Sequence, residues 1–263
     1  MQTVTSPDGT LIAYGTTGQG PAVILVAGAT MTRAAWPPLA ELLAAQFTVY
    51  YYDRRGRGDS TDTPPGSLDK EIQDIEALVA VAGGSASLYG ISSGGALALE
   101  AALRLGSKVE KLAVYEVPYA STEAGIAAWH EYRINLSAAI AAGRRGDAIA
   151  LFMGLVGLPA AMIEGMRQSP MWAGMEAVAP TLLYDAEALG ADNTAPIERV
   201  SRLAIPTLVM DGGASLETMP FMRPAAEALA GAIPGAKHTV LAGQSHDVDS
   251  AVLAPVLVEF FAN

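Results

Sequence analysis

Residues 86–105 read A-S-L-Y-G-I-S-S-G-G-A-L-A-L-E-A-A-L-R-L. An apolar strand-like run passes through a knot of glycine and serine and emerges at once as a helix with an apolar face. Chain that turns from strand to helix without a connecting loop must bend sharply, and the bend needs small residues two positions either side of its centre. The pentad Gly90-Ile91-Ser92-Ser93-Gly94 meets that requirement only when centred on Ser92, so the spacing selects Ser92 over Ser93. A strained turn at the carboxyl end of a strand exposes its central hydroxyl beside the free N–H groups of a helix N-terminus, which favour developing negative charge. The same residues read blandly as a Ser/Gly helix cap.

The flanking chain repeats the strand-helix alternation. T-V-T, a turn at Asp8-Gly9 and L-I-A-Y predict a hairpin. The run P-A-V-I-L-V at 21–26 suits a strand buried on both faces. Helical spacing follows over 32–46, a strand over 47–52, an amphipathic helix over 68–81 and a strand over 112–117. From 121 to 192 the chain is Ala- and Met-rich, helical in period, and offers no convincing strand. Alternation resumes with I-P-T-L-V-M at 205–210, a helix near 222–229, a strand at 238–241 and a last helix. The expected architecture is α/β: a mainly parallel twisted sheet of about eight strands flanked by helices. Residues 1–120 and 193–263 form its core, and 121–192 form a helical lid.

With 51% hydrophobic and 16% charged residues there is ample material for a core. The formal net charge of −11 disfavours phosphate backbones and anionic lipid surfaces, so neither nucleic acid nor membrane is expected as a partner. Zero cysteines exclude disulfides, thiolate metal sites and a cysteine nucleophile. No stretch at the N-terminus reads as an export signal and no run is long enough to span a bilayer, which gives a cytoplasmic protein as the reading. The expected partner is a small-molecule substrate, with self-association into a homodimer left open.

A serine hydroxyl needs a base. Of three histidines, His130 lies in the lid and His238 opens a strand, where an exposed edge position is expected. His246, in A-G-Q-S-H-D-V after the last strand, falls at the same end of the sheet as Ser92. The base in turn needs a carboxylate on its other nitrogen. Two places are open to it: Glu116, set awkwardly in the apolar run K-L-A-V-Y-E-V-P-Y, and Asp211, in V-M-D-G-G-A-S.

Ser92 within G-x-S-x-G, V-A-G-A at 26–29, D-R-R-G-R-G-D-S at 53–60 and the order of serine, acid and histidine together resemble the α/β-hydrolase family over nearly the whole chain. Many members of that family place the acid four residues after the position of Asp211, where this chain has Ser215. The resemblance therefore implies that Glu116 supplies the acid from the preceding strand end, as in some branches. Ser92-Ser93-Gly94 and Glu116-Val117-Pro118 are most similar to the zearalenone lactonase branch. The implied activity is a serine hydrolase cleaving a carboxylic ester or lactone of a small to medium hydrophobic substrate, with backbone N–H groups of Ala29 and Ser93 holding the oxyanion. No metal or organic cofactor is required by that chemistry. The same three side chains would serve carbon-carbon bond hydrolysis or perhydrolysis, and a ligand-binding protein without turnover is the reading from another class. Met31, Val117, Met153, Met171, Trp172 and Tyr184 are the candidate pocket wall, against the alternative that most of them pack the lid helices together. Arg54, Arg55 and Arg57 are expected to be ion-paired or solvated.

Overall fold

The computed structural model describes residues 2–263. Eight strands form one sheet: β1 (Gln2–Thr5), β2 (Leu11–Thr17), β3 (Ala22–Val26), β4 (Thr48–Tyr52), β5 (Ala86–Ile91), β6 (Val109–Tyr115), β7 (Thr207–Gly212) and β8 (Lys237–Leu241). Their spatial order is β1-β2-β4-β3-β5-β6-β7-β8. The β1–β2 and β2–β4 pairs are antiparallel, and every pair from β4 to β8 is parallel. Parallel neighbours need crossovers, and these are α1 (Pro37–Leu43), α2 (Leu68–Val81), α3 (Ser93–Leu105) and, beyond the insertion, α11 (Met222–Ala232). Between β6 and β7 come α4 (Glu123–Ala141), α5 (Arg145–Leu155), α6 (Ala160–Arg167), α7 (Trp172–Val178) and α8 (Leu182–Leu189), followed by the single turn α9 (Ile197–Val200). The short α10 (Ser215–Thr218) follows β7, and α12 (Ser250–Ala262) closes the chain.

The central strands are apolar throughout because both faces are covered. Val23, Leu25, Val49, Tyr89, Ala113 and Leu208 pack under α1 and α12, while Ile24, Val26, Leu88, Leu112 and Val209 pack under α2, α3 and α11. The second of these cores runs without a break into the insertion, where Trp129, Leu136, Ile149 and Leu182 belong to the same cluster. The insertion also closes on itself at its base. Ala120 N–H donates to the Asn193 carbonyl at 2.6 Å, and Asn193 Nδ2 donates to the Pro118 carbonyl at 2.8 Å.

Three local expectations are corrected. Residues 32–46 are not one helix: a single 3₁₀ turn at Arg33–Ala35 gives way to α1, because Pro37 and Pro38 suit a helix start and not its interior. The strand expected over 112–117 ends at Tyr115, so Glu116 stands at the strand tip with φ 46° and not in the sheet interior. The strand expected from 205 begins at Thr207, since Pro206 has no N–H to give a sheet ladder.

The chain order reverses between β3 and β5: β4 lies on one side of β3, and β5 on the other. In open parallel sheets the crevice at such a reversal, beyond the carboxyl ends of the strands, is where ligands bind. The Val26–Ala29 turn leaves β3 there, and Ser92 leaves β5.

Candidate active site

Ser92 sits between β5 and α3 with φ 57° and ψ −132°, a conformation that L-residues seldom adopt, and its side chain caps no helix N–H. The elbow closes only over glycine. A Cβ on Gly90 would lie 2.5 Å from the Gly94 carbonyl, and one on Gly94 would lie 2.5 Å from the Ala27 carbonyl. The turn after β3 packs directly on the elbow, where a Cβ on Gly28 would meet Ser92 Cβ at 3.0 Å. Ala29 follows Gly28 in the chain at this junction, Ser93 follows Ser92, and Ser93 N–H is one of the first-turn donors that a helix leaves unsatisfied.

Glu116 is buried, with 1% of its surface exposed. Ladder bonding carries past the strand ends to hold it: Ser92 N–H donates to the Tyr115 carbonyl at 2.9 Å and Glu116 N–H to the Met210 carbonyl at 2.9 Å. Its Oε1 accepts from Gly212 N–H at 2.8 Å, and its Oε2 meets His246 Nδ1 at 2.8 Å. An ionised carboxylate only accepts, so Nδ1 carries the proton and the Nε2 lone pair is left for another partner. Burial pushes the Glu116 carboxyl upward, but the bonds from His246 and Gly212 and the facing Ser215 hydroxyl outweigh it and hold the group below the usual glutamate range. The Ser215 Oγ is fully enclosed and completes no hydrogen bond of its own. The loop carrying His246 is tied down separately. The Tyr115 hydroxyl donates to the Ser245 carbonyl, and Ala214 N–H to the Gln244 carbonyl at 2.8 Å.

The structure thus joins His246 to Glu116; no hydrogen bond joins His246 to Ser92. The other carboxylate, Asp211, is buried and spent elsewhere, accepting from the Arg223 guanidinium and from His238 Nε2 at 2.6 Å. His238 is an edge-strand residue, yet its ring is anchored and not free. His130 lies at the surface on Asp192.

The proposed pocket wall divides. Met31 lies over the β3 turn, with its Sδ 3.6 Å from where a Gly28 Cβ would stand, and Val117 packs on Gly95 of the elbow helix. The four residues from the insertion do other things. Trp172 is buried under the Arg167 guanidinium, 5.1 Å from its ring, with its indole nitrogen against Gly146. Met153 belongs to the same packed cluster, and Met171 is 67% exposed. Tyr184 turns its ring onto Gly66 and its hydroxyl onto Asp62 at 2.7 Å. Helix period places these residues on the insertion but cannot say which face meets the crevice. A groove of about 670 Å³ does lie in the insertion, lined by Tyr132, Leu151, Ile163 and Arg167 among others, and none of Ser92, Glu116 or His246 reaches it.

Sequence reasoning undervalued the arginines. Arg54, Arg55 and Arg57 are fully buried, and none is solvated. Arg55 forks onto Asp74 at 2.7 and 2.8 Å and reaches Asp8 at 2.8 Å. Arg54 forks onto Glu71 with two 2.7 Å bonds and sends Nη1 to Asp185 at 2.6 Å and to the Ala27 carbonyl at 3.1 Å. Arg57 bonds Thr181 Oγ1 at 2.9 Å, the Gly28 carbonyl at 2.6 Å and Asp185 Oδ2 at 2.6 Å. Ser93 Oγ donates to Asp185 Oδ1 at 2.8 Å. Burial pushes the Asp185 carboxyl up, and the two guanidiniums overcome this and hold it ionised, below the ordinary range. The signal for Asp185 was present in the sequence as a lone aspartate in the apolar helix L-L-Y-D-A-E-A-L.

Among the described residues, no group of three His, Asp or Glu side chains is arranged to hold a metal ion, and no helix is long and apolar enough to cross a membrane.

Comparison with known proteins fits this geometry. The model of the Alpha/beta hydrolase family matches residues 23–258. The crystal structure of an alpha/beta hydrolase from Sphaerobacter thermophilus is 50% identical and superposes with a TM-score of 0.87 over 99% of this chain and 100% of that one. The enol-lactonase from Burkholderia xenovorans shares the fold, with a TM-score of 0.71 at 21% identity over the full length of both chains. A pimeloyl-[acyl-carrier protein] methyl ester esterase of Aliivibrio salmonicida is 30% identical over 103 residues, which span 39% of this chain and 38% of that protein. On the family match and the full-length structural likeness, this chain belongs to the alpha/beta hydrolase family.

Proposed function

We propose that the protein is a serine hydrolase that cleaves a carboxylic ester or lactone of a small to medium hydrophobic substrate through an acyl-enzyme. The observation that carries this reading is the buried, ionised Glu116 on His246 Nδ1, set one strand from a hydroxyl on a strained elbow. A carboxylate there fixes the imidazole tautomer, keeps the Nε2 lone pair available, and stabilises the imidazolium once a proton arrives.

Ser92 Oγ attacks the carbonyl carbon as His246 Nε2 takes its proton, a contact that closes as substrate binds. The carbonyl oxygen becomes an oxyanion held by the Ala29 and Ser93 N–H groups. His246 returns the proton to the leaving oxygen, the carbon-oxygen bond breaks, and a water activated by the same imidazole releases the acyl group. Met31 and Val117 give the crevice an apolar wall, which favours a hydrophobic acyl chain or ring. The lactone half of the proposal rests on the Ser92-Ser93-Gly94 and Glu116-Val117-Pro118 strings, whose resemblance to zearalenone lactonases concerns machinery more than substrate.

The test is labelling with a fluorophosphonate probe and turnover of p-nitrophenyl esters, with Ser92→Ala as control. Aliphatic lactones and macrolactones are screened beside the simple esters. Labelling and hydrolysis that vanish in Ser92→Ala support the proposal. Folded protein that neither labels nor turns over any of these substrates leaves a binding protein as the reading.

A further inference from the structure

Two of the three buried arginines reach past their acidic partners to main-chain carbonyls of the turn after β3. Arg57 Nη1 donates to the Gly28 carbonyl at 2.6 Å, and Arg54 Nη1 to the Ala27 carbonyl at 3.1 Å. The Gly28 carbonyl and the Ala29 N–H belong to one planar trans peptide, whose C=O and N–H point in opposite directions. A guanidinium that holds the carbonyl therefore aims the N–H away from itself; Ala29 is partly exposed, and the Gly28 before it packs on Ser92 Cβ. The turn has reason to need such a hold. Thr30, the next residue, has φ 61°, a sparsely populated conformation for a β-branched residue. A flip of the peptide would place the carbonyl dipole where negative charge develops during acyl transfer, turning attraction into repulsion.

Arg57 is itself placed by the insertion. Its Nη2 meets Asp185 Oδ2 at 2.6 Å, and its Nε donates to Thr181 Oγ1 at 2.9 Å. Asp185 also accepts from Ser93 Oγ, the side chain of the residue whose N–H is the second oxyanion donor.

We propose that Arg57, held by Asp185, is the positioning residue of the oxyanion hole: it sets the Gly28–Ala29 peptide, and Asp185 refers that peptide and Ser93 to one buried carboxylate. This rests on the reading of Ser92 as the nucleophile. Neither Arg57 nor Asp185 touches substrate.

The experiment measures kcat and KM on a p-nitrophenyl ester, together with inhibition by an arylboronic acid. The boronic acid adds to the serine as a tetrahedral anion and so reads the oxyanion hole directly. Wild type, Ser92→Ala, Arg57→Lys, Asp185→Asn and Thr181→Val are compared, each first checked for a cooperative melt. In folded Arg57→Lys or Asp185→Asn, kcat is expected to fall about 100-fold, the scale of losing one oxyanion donor, with KM within threefold and boronate affinity falling in step. A folded variant with kcat within threefold of wild type, or with raised KM and unchanged boronate affinity, overturns the proposal. Should both buried-charge variants fail to fold, Thr181→Val decides. It removes the neutral acceptor of Arg57 Nε and the hydroxyl's own bond to the Val178 carbonyl, takes away no charge, and is expected to lower kcat and boronate affinity together by about fivefold; no change in either overturns the proposal. Wild-type protein inert to ester and probe removes the serine hydrolase reading and this inference with it. Active wild type with unaffected variants removes only the inference.

Discussion

Thr30, Ser92, Glu116 and Asn193 are the non-glycine residues with positive φ among the described residues, and the first three stand at the carboxyl ends of β3, β5 and β6. Each such conformation costs about 1–3 kcal/mol and persists only where surrounding contacts enforce it. Their convergence marks the crevice as strongly as the pentad does. Replacing Glu116 by Gln keeps the shape but offers the imidazole an amide that can present a donor, and kcat is expected to fall about 10⁴-fold in a protein that still melts cooperatively. Asp211→Asn unsettles Arg223 and His238 instead, so it should cost about 1–3 kcal/mol of stability and leave kcat within tenfold. Steady-state kinetics and melting on the two variants rank them, and the reverse order would reassign the acid. Ser92 was legible in the sequence because turn geometry restricts residue size at fixed spacing, and His246 because only three histidines compete for the role. The pairing of Arg57 with Asp185 was not, since the two lie far apart in the chain and no local rule joins them, although a lone aspartate in an apolar helix marks Asp185 itself.

Secondary elements were legible where period and caps agree. Helix α2 begins at Leu68 after Ser67, whose hydroxyl accepts from Lys70 N–H at 3.3 Å, and its bounds follow from sequence alone. The strand tips were less so, because hydrophobicity runs on through Glu116 and Val117 while ladder geometry stops at Tyr115. Two predictions belong to this scale. Gly94→Ala drives a methyl against the Ala27 carbonyl and should cost about 3 kcal/mol or prevent folding, seen as lost soluble yield. Trp172→Ala empties packed space inside the insertion, at about 3 kcal/mol, so Tm should drop by several degrees while KM on small esters stays within threefold. A KM that rises far more than this would return Trp172 to the substrate wall.

For the molecule as a whole, a net charge of −11 and a pI near 4.7 suggest relief of repulsion as pH is lowered. The buried Glu116 and Asp185 and the partly buried Asp8 oppose it, while Asp74, which burial pushes up to about 6, sides with it. Glu116, Asp185 and Asp8 all titrate below their ordinary ranges in the folded chain: burial raises each, and the bonds from His246, the charges of Arg54 and Arg57, and the bonds from Arg55 and Thr10 prevail. Carboxyls with lowered folded pKa contribute stability that is complete above the ordinary carboxyl range and is lost as pH falls through their folded values. Tm is therefore expected to decline between about pH 4.5 and pH 3 in spite of the approach to zero charge, and the decline should be shallower in Asp185→Asn. Thermal melts across that range check both.

Since residues 120 and 193 meet at a backbone bond, the chain enters and leaves α4–α8 at one place, and another segment could be exchanged for them only if it rebuilt the core that Trp129, Leu136, Ile149 and Leu182 share with the sheet. Asp185 makes the exchange conditional. A transplanted segment would have to deliver its own anion to the spot beneath the elbow, or the Arg57 guanidinium would lose its acidic partner in the core and Arg54 one of its two. Diversification of this region is thus bounded by the shared core and by the charge that Asp185 supplies.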